Sequence, residues 1–247
     1  MDRKYKNPPL IEALCGIQFE PDASWDLAIP GLVYEEVKKD FPKRRPVKVI
    51  EGNLTADQEG VKQQMRTTER IQFLRDDRKV LIQVGPNFLS VNHLKPYSTW
   101  VEFLPLIQQG FDVYRRIAKP KGIQNIGLRY INRIEIPVQE IKIEDYLQFY
   151  PFLGKQLPQE HGPFIAGIQL SHQNSRDILK MELANAEVDR PGLIAMILDL
   201  DYSLAQSRKI TFDNVLEWIQ IAHQHIKDTF EACLTDRLRQ IFEQEKE

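Results

Sequence analysis

Gly127-Leu128-Arg129-Tyr130-Ile131-Asn132-Arg133-Ile134-Glu135-Ile136-Pro137 stands at the middle of the 247-residue chain, and the rest is read outward from it. Side chains of a strand alternate between faces. Ile126, Leu128, Tyr130, Asn132, Ile134 and Ile136 then share one face, and Gly127, Arg129, Ile131, Arg133 and Glu135 share the other. The first face is apolar except for Asn132, and the second is charged except for Gly127 and Ile131. This pattern predicts a half-buried strand, ended by Pro137, which has no ladder donor. Asn132 on a buried face must find hydrogen bonds or cost about 1–3 kcal/mol. Arg129 and Arg133 form a two-charge stripe that is either a solvated edge or a polar site for an anion or a carboxylate partner.

Outward from this strand the elements repeat a plan. Leu10 to Phe19 reads as a strand after the stiff Pro8-Pro9. Asp22 to Phe41 contains a helix closed by Pro42, and Val47 to Gly52 a short strand. Residues 53–69 are polar and without a clear period. Arg70 to Arg75 and Lys79 to Asn92 predict a hairpin whose second arm breaks at Gly85-Pro86, as at a bulge. Ser98 to Ala118 predicts a helix.

Beyond the central strand, Ile143 to Tyr150 reads as a short helix. Phe164 to His172, Ile178 to Val188 and Leu193 to Leu204 read as strands, with turns at Asn174-Ser175-Arg176-Asp177 and Asp189-Arg190-Pro191-Gly192. An apolar stripe from Val215 to Ile241 predicts one long C-terminal helix reaching about Phe242, with a polar, fraying tail after it. The expectation is an α+β fold of mainly antiparallel strands with helices on one face. Its two pseudo-equivalent halves, 1–122 and 123–247, each run strand, helix, three strands, helix.

Lys and Arg number 33 and Asp and Glu 35, a net charge of −2, so nothing draws the whole chain to nucleic acid or an acidic membrane. A local basic run, Lys38, Lys39, Lys43, Arg44, Arg45 and Lys48, is the candidate for nucleic-acid contact. Its bland alternative is a solvated helix end and loop. Two distant cysteines, Cys15 and Cys233, suit a reduced, cytoplasmic protein. No apolar run approaches the ~20 residues of a spanning helix. The histidines make no metal-ligand spacing, and no nucleotide loop or nucleophile elbow is present. No catalytic residue, metal or cofactor is therefore expected.

Asp199 and Asp201 point to one side of their strand, about 7 Å apart on strand geometry. Pairing with Arg129 and Arg133 is the expected structural role. With Asn132 these residues form the candidate site for a small anionic ligand. His223 and His225 sit two apart on a helix and so do not chelate.

Several segments carry a resemblance: Asn7-Pro8-Pro9-Leu10-Ile11-Glu12-Ala13, Tyr97-Ser98-Thr99-Trp100, Arg129 to Pro137, Leu198-Asp199-Leu200-Asp201, and the ending with His225, Phe230 and Leu234-Thr235-Asp236-Arg237-Leu238-Arg239. In their order the chain resembles a sporadically distributed bacterial family of roughly 250 residues that opens on "PPL-E" and carries a central "RY-NRI-IP". The resemblance implies no activity, cofactor or catalytic residue. Its patchy distribution implies an accessory or mobile locus, phage defence and toxin–antitoxin modules among them. The expectation is a non-enzymatic binding protein with a protein partner or a second copy of itself. A small-anion sensor or enzyme, and a nucleic-acid binder, are the alternatives.

Overall fold

The computed structural model describes residues 4–21, 25–57, 60–158, 162–188 and 190–243. The architecture is α+β. Among the described residues nine strands, β1 (Leu10–Phe19), β2 (Lys43–Asp57), β3 (Gly60–Leu74), β4 (Val80–Gly85), β5 (Phe88–Leu94), β6 (Ile123–Ile136), β7 (Ile165–His172), β8 (Asp177–Ala186) and β9 (Ile194–Leu204), follow the sheet order β2-β3-β4-β5-β1-β6-β9-β8-β7. Four helices accompany them among the described residues: α1 (Ile29–Val37), α2 (Trp100–Ala118), α3 (Val215–Cys233) and α4 (Asp236–Ile241). The chain forms two compact units. One comprises Met1–Leu14, Leu94–Tyr97 and Asn125–Glu247, the other Cys15–His93 and Ser98–Gln124.

In the first unit β6 pairs antiparallel with β9, β9 with β8, and β8 with β7. The period-two reading of β6 holds residue by residue: Ile126, Leu128, Tyr130, Asn132, Ile134 and Ile136 are buried, and the alternate side chains are not. α3 lays Val215, Trp218, Ile219, Ala222 and Ile226 inward and packs on β9. The apolar stripe predicted one helix to Phe242, but α3 ends at Cys233. Leu234 is extended and bridges to Leu147, and Thr235 caps α4 by accepting from the Leu238 amide. The cap is the cause of the break. A Thr-Asp pair satisfies amides at a new N-terminus better than it continues an old helix. The short helix predicted over 143–150 is reduced to one 3-10 turn, Ile143–Asp145, because Leu147 is taken by that bridge.

In the second unit β2 and β3 form one 15-residue-per-arm hairpin, in register from Lys43↔Leu74 to Asp57↔Gly60. The short strand predicted at 47–52 lies inside it, as do 53–57 and 60–69 of the polar stretch without a clear period. Gly85-Pro86 is not a bulge but a turn between β4 and β5, with Gly85 opposite Phe88 and Asn87 at a left-handed φ of 52°. Asn tolerates that conformation. The first half thus has four strands after its helix, not three. α2 begins at a capped Thr99, whose side chain accepts from the Glu102 amide, and buries Phe103, Ile107, Phe111 and Tyr114. Tyr114 stacks on Phe19 at 4.6 Å.

Residues 22–24 of the first predicted helix segment, 58–59 of the polar stretch, Asp189 of the turn predicted before β9 and the tail from 244 lie outside the described residues. Among the described residues no helix is long and apolar enough to cross a membrane.

Candidate functional site

β6 and β9 bring Arg129, Asp199 and Asp201 together. Arg129 lies opposite Asp201, and Ile131 opposite Asp199. The guanidinium reaches diagonally to Asp199, with Nε 2.8 Å from Oδ1 and Nη2 bonded to Oδ2. This bidentate pairing holds the Arg129 charge more firmly than usual, with Asp199 as its main cause. β8 adds Lys180 opposite Asp201 and Glu182 opposite Asp199. The five charged side chains line a recess of about 90 Å³. That is room for a few waters at about 30 Å³ each, and far below the 300 Å³ of a small-molecule site. Burial pushes the Asp201 carboxyl up, Arg129 draws it down and Asp199 raises it again. The cluster is an ion-pair network. Lys180 and Glu182 were invisible to parity alone, since only the β8–β9 register places them here.

The other two candidate residues part from it. Asn132 faces the core, where its amide donates to the Leu198 carbonyl at 3.2 Å. It cannot assist a ligand held by arginines on the opposite face. Arg133 donates through Nε to Glu135 at 2.8 Å and through Nη2 to the Glu187 carbonyl at 2.8 Å. It lines a separate cavity of about 370 Å³ with Lys6, Pro9, Lys95, Tyr97 and Phe242. Arg133, Arg190 and Lys95 hold the Glu135 carboxyl below its ordinary value, Arg133 most strongly. Of the five proposed ligand residues, then, three belong to an ion-pair network, one is a core amide, and one opens on a cavity of ligand size.

The basic run is dispersed. Lys38 pairs with Glu35, Lys43 with Asp76 at 3.2 Å and Lys48 with Glu69 at 3.8 Å. Arg44 lies over the Tyr34 ring at 4.9 Å, and Arg45 donates to Gln72 at 2.7 Å. Lys43 and Arg45 alternate with Arg44 along β2, so the run does not form one cationic surface.

Two polar assemblies escaped the sequence reading. Asp177 opens β8 and is fully buried. It accepts from Tyr202 Oη and Trp218 Nε1, each at 3.1 Å, and pairs with Arg176 at 2.7 Å. His225 stacks on Tyr202 with rings 5.2 Å apart, and His172 lies 4.4 Å from His225. The legible signal was parity: Asp177 shares the inward face with Leu179, Met181 and Leu183. The second assembly is a cross-strand ladder, Arg45–Gln72–Gln83–Ser90, bonded at 2.7, 2.9 and 3.1 Å. Its signal was likewise hidden in register.

His223 accepts or donates at 2.8 Å to Tyr130 Oη, and burial pushes its imidazole down to about 4. An unfolded histidine titrates near 6.5. Between those values the unfolded chain binds more protons, so stability is complete above pH ~6.5 and falls as the pH drops toward 4. Urea unfolding at pH 7 and pH 4.5 is expected to differ by about 2 kcal/mol from this residue. His223→Gln flattens that limb; an unchanged acid limb contradicts the assignment.

Cys15 and Cys233 are buried free thiols, pushed up to about 12 and about 11 by burial. Among the described residues no group of three His, Cys, Asp or Glu side chains is placed to hold a metal. Comparison with protein-family models and with curated proteins gives no match to this chain.

Proposed function

We propose that this chain is a non-enzymatic, cytoplasmic binding protein of bacteria, which acts by pairing with protein through the outer flank of β7. In that reading it is an accessory component of a phage-defence or other mobile-locus system. One observation carries it. β7 ends the sheet order, and its side chains are exposed on both faces. Ile165 is 75% exposed, Ile168 47% and Leu170 36%. Single exposed apolar residues are ordinary, but three on one terminal strand, Ile165, Ile168 and Leu170, mark an interaction surface.

The contrast with β2, the other terminal strand, supports the reading. β2 carries Lys43, Arg44, Arg45, Pro46 and Lys48 along its exposed length. Cations and proline are what proteins use to keep an edge from pairing. The basic run thus has a structural explanation, and β7 lacks the same protection.

Native mass spectrometry of the tagged chain, drawn gently from its own host, tests the proposal. The expected result is added polypeptide mass that is lost with Ile165→Lys. A bare monomer in both samples contradicts it.

A second reading is favoured by the 370 Å³ cavity. Its volume lies in the range of small-molecule sites. Its walls are apolar at Pro9, Tyr97 and Phe242 and cationic at Lys6, Lys95 and Arg133, which suits an organic carboxylate or phosphate. A small bound mass in the same spectra, displaced by Lys95→Glu, supports this reading over the first.

A further inference from the structure

We propose that two copies of this chain pair through β7, antiparallel and about a twofold axis at Ile168, to continue the sheet from one copy into the other. This rests on the reading of β7 as an interaction surface and names its occupant.

The Asn185 amide donates to the Phe164 carbonyl, and the register runs unbroken from Ile165↔Ala184 to His172↔Asp177. In an antiparallel pair every second residue exchanges bonds with its neighbour. Ala166, Ile168, Leu170 and His172 therefore bond to β8, and the N–H and C=O groups of Ile165, Gly167, Gln169 and Ser171 point away from it. Among the described residues no strand lies on that side.

A second β7 placed there must match bonded residues with bonded residues. With Ile168 on the axis, Ile165 meets Ser171 of the second copy and Gly167 meets its Gln169. Every outward group then has a partner. Moving the axis to Gly167 or Gln169 strands one end.

Side chains agree with that register. On the α3-side face, Ile168 meets Ile168 and Ala166 meets Leu170, an all-apolar row continuous with Leu179, Met181 and Leu183 of β8. On the opposite face the row reads Glu182, Gly167, then Gln169 and Lys180 of the second copy, so its ends are of opposite charge. No Asp, Glu, Lys, Arg or Pro occurs anywhere in Ile165–His172, and no bulge interrupts it. Like charges facing across the axis are the usual bar to self-pairing, and here there are none.

A charge swap tests the register. Ile168 faces its own copy in a non-hydrogen-bonded pair, the closest side-chain approach in an antiparallel ladder. Sedimentation of the purified full chain at ~100 µM, well above the Kd of a standard interface, is expected to give twice the chain mass. Ile168→Lys and Ile168→Glu are each expected to sediment as monomers, and their equimolar mixture as a dimer. Restoration on mixing separates lost pairing from lost folding. Gln169→Pro is a second check: its amide points away from β8, so the variant keeps β7 in place and is expected to be monomeric.

A wild-type monomer, or a dimer indifferent to all three variants, overturns the proposal. The broader reading is then decided by the host-derived complex. It stands if Ile168→Lys removes another protein's mass from a monomeric chain, and falls if no added mass depends on Ile168.

Discussion

Asp177→Ala is expected to destabilise the chain by about 3–5 kcal/mol, the largest effect of any polar substitution considered. Asp177 is fully buried and accepts from Tyr202 Oη, Trp218 Nε1 and the Arg176 guanidinium. Truncation leaves a buried hydroxyl and a buried indole N–H unpaired, at about 1–3 kcal/mol each. Arg176 is partly exposed and can turn to water, so its loss is smaller. Asp177→Asn keeps the shape but turns one acceptor into a donor facing donors. About 1–3 kcal/mol is expected for it. Trp218→Phe keeps most of the ring bulk, removes one donor and is expected to be milder than Asp177→Ala. Urea midpoints at constant slope check the order. The hub matters for function because Asp177 lies opposite His172, the last residue of β7. Loosening it frees the end of the strand proposed to pair.

The second large effect separates two arginines four residues apart. Arg129→Ala is expected to cost about 1.5–3 kcal/mol, the range for hydrogen bonds to a charged group, because Asp199 is only 14% exposed and is left beside Asp201 without its bidentate partner, although the guanidinium itself is part-solvated. The Asp201 carboxyl, already raised by burial, rises further. Arg133→Ala is expected to cost under about 1 kcal/mol, since it breaks a partly exposed pair with Glu135. Unfolding of the two variants at pH 7 measures the difference. Equal costs would mean that the recess around Arg129 is not the ion-pair network described.

What was legible in the sequence followed from period and from local chemistry. β6 alternates cleanly from Ile126 to Ile136 because one side of it is buried, and the residue set on each face is the set observed. α2 was legible because Thr99 caps it and its apolar spacing is regular. The long β2–β3 hairpin was not, because a two-strand ribbon with polar residues on both sides has no apolar face to generate a period. The break at Leu234-Thr235 was hidden by a stripe that stays in phase across it, although Thr235 followed by Asp236 is a cap signature.

The candidate site divides along the same line. Arg129, Asp199 and Asp201 were predicted on adjacent solvent-side parities and do meet, since pairing needs only neighbouring strands. Lys180 and Glu182 required the β8–β9 register, which the sequence does not display. Asn132 was placed on the correct face, and that placement itself removes it from the ligand set. The open edge of β7 was equally out of reach, because edge and centre strands read alike until the order is known.

Hydrogen exchange along β7 addresses the central claim most directly. The amides of Gly167, Gln169 and Ser171 point outward, and those of Ile168 and Leu170 point to β8. In the dilute chain the outward set exchanges freely and the inward set is protected. In the concentrated chain, or in the complex drawn from its host, the outward amides are expected to slow by at least ~tenfold while the inward ones change little. Outward amides that exchange as fast in the complex as in the dilute chain would show that β7 pairs with nothing.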